Sequence, residues 1–182
     1  MRLFVGLALD DATRGACIEA QQRLLRAAID ARYTDAENLH LTLAFLGEVS
    51  QERLCEIEGV IDAVAYATAE FELALDRIGA FPNERRPRIV YLGSRAANAR
   101  FGALAQALRE GYGELGFTFE DDAIAHVTLA RINASSRRPL PMIEPTPHTM
   151  PVTHLTLFAS SPAHGAVRYE RRSTTALRER NR

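Results

Sequence analysis

The sequence predicts a duplicated, bilobal α+β fold: two antiparallel or mixed sheets flank a central cleft, and helices pack outside. Three observations predict it. The stretch Asn38–Gly47 reads as a buried strand that carries one histidine and one threonine, His40 and Thr42. The stretch His126–Arg131 repeats the pattern His-x-Thr-Leu-Ala, 86 positions later in a chain of 182 residues. The elements run strand, helix, His-x-Thr strand, helix, strands, and then helix, His-x-Thr strand, strands. The expected organisation is one two-lobed domain over 1–182, with pseudo-duplicated halves of about 1–93 and 94–182. Each half holds one His-x-Thr strand.

Arg2–Leu9 is a first strand, and Asp10 or Asp11 caps the helix that follows. In that helix Cys17, Leu24 and Ala28, with Ile18, Leu25 and Ile29, form the stripe that faces a sheet. In the first motif strand, alternation puts His40 and Thr42 on one face and Leu39, Leu41, Leu43 and Phe45 on the other. Ser50 then caps a second helix whose inner face is Leu54, Ile57, Ile61 and Val64. Phe71–Phe81 is strand-like, 82–87 is a turn, and Arg88–Gly93 returns as a strand. A third helix carries Phe101, Leu104, Leu108, Tyr112 and Leu115, and Gly116 ends it. The second motif strand spans about Ile124–Ile132, with Val127 and Leu129 opposite His126 and Thr128. The stretch 133–150 is expected to be a long surface loop. Val152–Ser160 and about Val167–Arg171 make a final pair of strands, and Arg178–Arg182 is a charged tail.

Composition excludes several classes. The hydrophobic fraction is 47% and the charged fraction 25%, an ordinary globular balance. A net charge of −1 offers no global polycation for long nucleic acid, so any nucleic-acid contact is expected to be local. Cys17 and Cys55 fall in helical patterns and are expected to be buried free thiols of a cytoplasmic protein. Met1–Leu9 is too short for a secretory signal, and no apolar run reaches membrane-spanning length. A monomer is expected.

Two facing histidines near pKa ~6.5 can hold one protonated and one neutral ring near neutral pH. That is a general base and a general acid for opposite sides of one atom. The paired hydroxyls of Thr42 and Thr128 suit the oxygens of an anion between them. In-line displacement at phosphorus fits this set. No carboxylate accompanies either motif, so no metal and no other cofactor is expected. A phosphate-cradling Gly-rich loop and a Gly-x-Ser-x-Gly elbow are both missing from the sequence. His148, His154 and His164 are read as lying in loops or near strand ends, without threonine partners and without a catalytic part.

These motifs resemble those of the two-histidine phosphoesterase superfamily. The segments RLFVGLALD, NLHLTLAFLGEVS, GAFPNERRPRIVYLG, HVTLAR and LTLFASS, with Gly165 and Tyr169, resemble its RNA 2′,3′-cyclic phosphodiesterase branch, the 2′–5′ RNA ligase-like proteins. The resemblance implies metal-free hydrolysis of a terminal 2′,3′-cyclic phosphate on RNA to a 2′-phosphate. A weak reverse joining of RNA ends through 2′–5′ linkages is implied too. RNA ends or cyclic nucleotides are thus the implied partners. It assigns His126 as general base and His40 as general acid, and Thr42, Thr128 and Arg131 to substrate binding. Strict alternation puts Arg131 opposite His126, so it reaches the cleft only from a strand end or a bulge. Two departures stand out. Ile124 and Ala125 precede His126 where the family usually has an aromatic and a proline, and Val5 stands where a second aromatic is usual. Phe4 is then either a substitute for stacking on a base or a plain core residue. Arg85, Arg86 and Arg88 are either a solvated turn or a contact for RNA phosphates beyond the terminus. Two other readings remain at this stage: a non-hydrolytic module that binds RNA or nucleotide ends, and an enzyme for another cyclic phosphate such as ADP-ribose 1″,2″-cyclic phosphate.

Overall fold

The computed structural model describes residues 1–120, 123–134, 138–163 and 166–179, with backbone alone for Ala163 and Ala166. His164, Gly165, residues 135–137 of the 133–150 segment and residues 180–182 of the tail lie outside the described residues.

The elements are β1 (Arg2–Ala8), α1 (Asp11–Arg26), β2 (Ala31–Tyr33), β3 (His40–Glu48), α2 (Leu54–Ala67), β4 (Phe71–Leu75), β5 (Arg77–Phe81), β6 (Ile89–Gly93), α3 (Ala99–Glu114), β7 (His126–Ile132), β8 (His148–Val152), β9 (His154–Ala163) and β10 (Ala166–Ala176). Among the described residues they form an eight-stranded sheet in the order β10-β9-β1-β3-β7-β6-β5, with β2 also on β7, and a two-stranded sheet of β4 and β8. All strand pairings are antiparallel. The fold is therefore α+β, as the sequence predicts.

The large sheet has a seam. One wing is β10-β9-β1-β3, the other is β7-β6-β5 with β2, and β3 meets β7 at the single pair Leu41↔Val127. Each wing takes strands from both halves of the chain. β5 and β6 complete the sheet beside β7, and β9 and β10 complete it beside β1. α1 packs on β7 and β8, α2 on β9 and β10, and α3 on β3.

Local chemistry explains the helices. Asp10 caps α1, its carboxylate accepting from the Thr13 amide at 2.7 Å. Asn98 does the same for α3 through the Phe101 amide at 3.0 Å. The two helices of the first wing are tied where the buried Tyr112 hydroxyl donates to the Ile57 carbonyl at 3.2 Å. Among the described residues, no helix is long and apolar enough to cross a membrane.

Several expectations need correction. α1 stops at Arg26, so its buried face is Thr13, Cys17, Ala20 and Leu24, while Leu25 is exposed. Ser50 precedes a 3₁₀ turn at Gln51–Arg53, and its side chain makes no capping bond. Cys55 is exposed, unlike Cys17. It lies two residues from Ile57, about 200° round a helix whose inner face is Ile57, Ile61 and Ala65. Asp76 divides Phe71–Phe81 into β4 and β5. The 133–150 segment gives up its last residues to β8, which pairs with β4. β2 is three residues long, too short for periodicity to reveal.

Candidate active site

The seam builds the cleft. Leu41 and Val127 are buried partners across it. Antiparallel pairing at that point sets His40 across from Thr128 and Thr42 across from His126, all four on the opposite face. The two histidines are then diagonal neighbours, and such positions lie about 7–8 Å apart. All four side chains are half-buried and line one cleft of about 620 Å³.

Both imidazoles are held in the same way. The Nδ1 of His40 meets the Asn38 carbonyl at 2.7 Å, and the Nδ1 of His126 meets the Ile124 carbonyl at 2.8 Å. A carbonyl only accepts, so Nδ1 carries the proton in each neutral ring and Nε2 keeps the lone pair. Each histidine bonds to the residue two before itself, so at Ile124 the backbone, not the side chain, makes the contact.

Rings support both imidazoles. Tyr169 lies edge-on to His40 at 4.7 Å and Phe4 is tilted against it at 4.8 Å. Phe81 and Tyr91 lie edge-on to His126 at 5.0 and 5.6 Å. Burial pushes the pKa of His40 below its ordinary value; the Asn38 carbonyl opposes that and the charge of His126 adds to it. Burial lowers that of His126 too, with the Ile124 carbonyl opposing and the positive Arg131 adding.

Arg131 does line the cleft. The register between β6 and β7 slips so that Val90 faces Ala130 and Tyr91 faces Thr128, leaving Leu129 as an extra residue. Side-chain parity reverses there, and Arg131 returns to the side of His126. The same device moves Phe45. Across β1 and β3, Val5 faces Ala44 and Gly6 faces Thr42, so Leu43 is the extra residue. Alternation predicts Phe45 in the core with Leu43; it is instead 48% exposed and lines the cleft.

Phe4 is a correction. It is 0% exposed and absent from the cleft wall, because it is stacked between Phe45 at 5.3 Å and Phe158 at 4.9 Å. It carries His40 and Phe45 and has no free face for a base. Arg85, Arg86 and Arg88 are exposed and do not line the cleft.

His148 and His154 do have threonine partners, contrary to expectation. His148 Nε2 and the buried Thr13 hydroxyl share a hydrogen bond of 2.8 Å. His154-Leu155-Thr156-Leu157 is a third His-x-Thr strand, legible in the sequence and passed over there. On β9 it sits away from the seam: Thr156 is fully buried opposite Gly6, and His154 bonds to Thr153 at 2.8 Å.

An antiparallel α+β fold with two His-x-Thr strands on one cleft defines a two-histidine phosphoesterase. The family model described as LigT-like phosphoesterase matches residues 7–91 and 92–169, and the chain belongs to that family. It is 35% identical over 132 residues to the RNA 2′,3′-cyclic phosphodiesterase of Archaeoglobus fulgidus, covering 72% of this chain and 73% of that protein. Its fold matches the crystal structure of TT0787 of Thermus thermophilus with a TM-score of 0.84 and 30% identity, over 100% of both chains. It also matches E. coli LigT complexed with 3′-AMP, with a TM-score of 0.77 and 32% identity over 97% of this chain and 96% of that one.

Proposed function

We propose that the protein hydrolyses the terminal 2′,3′-cyclic phosphate of RNA to a 2′-phosphate, without a metal ion. The observation that carries this reading is the pair of matched Nδ1 bonds, which leave the Nε2 of both rings for proton transfer at one cleft. The likeness to an RNA 2′,3′-cyclic phosphodiesterase supplies the substrate.

Neutral His126 takes a proton from water through Nε2 as the water oxygen attacks phosphorus. The bond from phosphorus to O3′ breaks in line with that attack. Protonated His40 delivers its Nε2 proton to O3′, and both rings reset with solvent. Thr42 and Thr128 donate to the non-bridging oxygens as their charge grows. The positive charge of Arg131 supports this assignment, because it favours the neutral form of His126 that a base requires. With the 5′ hydroxyl of a second RNA in place of water, His126 takes the hydroxyl proton, O3′ again leaves with the proton of His40, and the ends are joined in a weak 2′–5′ ligation.

The test is product analysis of an oligoribonucleotide ending in a 2′,3′-cyclic phosphate. A 2′-phosphate product, lost in His40→Ala and His126→Ala, is expected. A 3′-phosphate product, or an intact cyclic end with measurable binding, overturns the proposal.

A further inference from the structure

His40 is the first residue of β3, and its pairing with Ala8 is the last rung of the ladder with β1. The carbonyl that holds its ring therefore lies outside the sheet. It belongs to Asn38, the last residue of a 3₁₀ turn at Ala36–Asn38. Were that turn free, the carbonyl would swing, and the ring of His40 with it. Arg14 of α1 fixes the start of the turn by donating to the Ala36 carbonyl.

The Asn38 side chain fixes the end. Its Nδ2 donates to the Val167 carbonyl at 2.9 Å, and its Oδ1 accepts from the Tyr169 amide at 3.2 Å. β10 has β9 on one side and, among the described residues, no strand on the other. The side-chain amide thus takes the place of one residue of a neighbouring strand, bonding on either side of Arg168. A carbonyl only accepts and a backbone amide only donates, so a side chain with one donor and one acceptor is required. Tyr169 is also the ring edge-on to His40. One residue therefore ties together the carbonyl behind His40 and the ring beside it. His126 is held differently, since Ile124 offers its carbonyl and an apolar side chain.

We propose that Asn38 is the positioning residue of the general acid: anchored on β10, it holds its own carbonyl on Nδ1 of His40, so that Nε2 carries the proton to the leaving oxygen. The proposal rests on the cyclic phosphodiesterase reading above and adds a residue to it. The same carbonyl opposes the effect of burial on His40, and so helps the ring take up the proton that an acid must deliver.

The experiment compares wild type with Asn38→Ala and Asn38→Asp. Aspartate keeps the size of the side chain and sets an oxygen against the Val167 carbonyl, so it carries the test if the alanine variant does not fold. Both variants are expected to lose about 10–100-fold in kcat on a nucleoside 2′,3′-cyclic phosphate, the scale of a misplaced catalytic group, with little change in KM. The second readout is nitrogen NMR of the imidazoles at pH 8, where both rings are neutral. In the wild type each ring is expected to show one tautomer, with Nδ1 protonated. In the variants His40 becomes a mixture of tautomers while His126 keeps its own. A residue that merely braces β10 would lower the melting temperature and leave the tautomer alone. Unchanged kcat, a loss confined to KM, or an intact His40 tautomer in the variants overturns the proposal. The NMR arm needs no turnover. If no cyclic phosphate is cleaved but the His40 tautomer depends on Asn38, the positioning stands and the proposed reaction fails. If cleavage occurs and both readouts ignore Asn38, the reverse holds.

Discussion

Phe45 and Arg131 stand at equivalent places, each five residues past the histidine of its strand and each turned onto the cleft by one extra residue. Phe45 ends a pile of three rings, Phe45, Phe4 and Phe158. Its half-exposed ring is therefore the face on which a substrate base is expected to stack. Stacking on an aromatic is worth about 1–3 kcal/mol per base. Phe45→Ala is expected to raise KM for a cyclic nucleotide about tenfold, while kcat changes less. Phe4→Ala instead lowers the melting temperature, because it empties the core of the pile. Equal KM in Phe45→Ala and wild type would remove Phe45 from the base site.

His40→Ala and His126→Ala are each expected to lower kcat by about 10²–10⁴, the usual worth of a general acid or base. That corresponds to about 2.7–5.4 kcal/mol in the barrier. The double variant loses little more than either single one, because the two act in one step. EDTA is expected to leave the wild-type rate unchanged; a rate abolished by EDTA and restored by a divalent cation contradicts the metal-free route.

The pH profile follows from the direction of both shifts. Each imidazole in the free protein titrates below 6.5. The base must be neutral and the acid protonated, so both limbs of the kcat/KM bell lie on the acid side of 6.5. Above the upper limb the rate falls about tenfold per pH unit. Stability moves the other way. The unfolded chain binds protons at 6.5 before the folded one does, so stability is whole above 6.5 and is lost as pH falls from there through the folded values. Calorimetric scans should show the wild type losing melting temperature over that window, and the double variant His40→Asn/His126→Asn losing less.

Gly6 is the residue that lets β1 approach the first motif strand. A Cβ there would stand 2.2 Å from the Leu41 carbonyl oxygen, a backbone atom that cannot move aside. Gly6 also faces Thr42. Gly6→Ala is expected to cost about 1–3 kcal/mol, or roughly 2–12 °C of melting temperature for a chain of this size. It should lower kcat as well, by displacing Thr42. A fully active variant of unchanged melting temperature would show that β1 has slack.

The two cysteines should separate cleanly. Burial pushes the Cys17 thiol up to about 12, with Arg14 opposing weakly, and Cys55 is exposed. At pH 8 a thiol reagent is expected to label one group per chain at once and the second only on unfolding. Two fast equivalents would mean that α1 opens readily.

Much of the site was legible because it repeats. His40 with Thr42 and His126 with Thr128 are two polar pairs in apolar strands, and a shared ligand accounts for both. What sequence could not supply was the sheet. Alternation assumes an unbroken ladder, so Phe45 went to the wrong face and Arg131 needed a bulge that residue types do not announce. The Nδ1 bonds run to carbonyls, which every residue has. His154-Leu155-Thr156-Leu157 makes the complementary point: the same four residue types on β9 make no site, because only β3 and β7 meet at the seam. Cys55 failed for a simpler reason, since an apolar neighbourhood in sequence is not a buried face of the helix.

The exchange of strands between the two wings makes the chain its own complementation system. A cut in the segment after Gly93 would leave β5 and β6 on one fragment and their neighbour β7 on the other, and would strip β1 of β9. Each fragment would carry one of the two cleft histidines and raw strand edges, inert alone and prone to stick. Co-expressed, the pieces regain turnover only by reassembling, so activity would report their encounter.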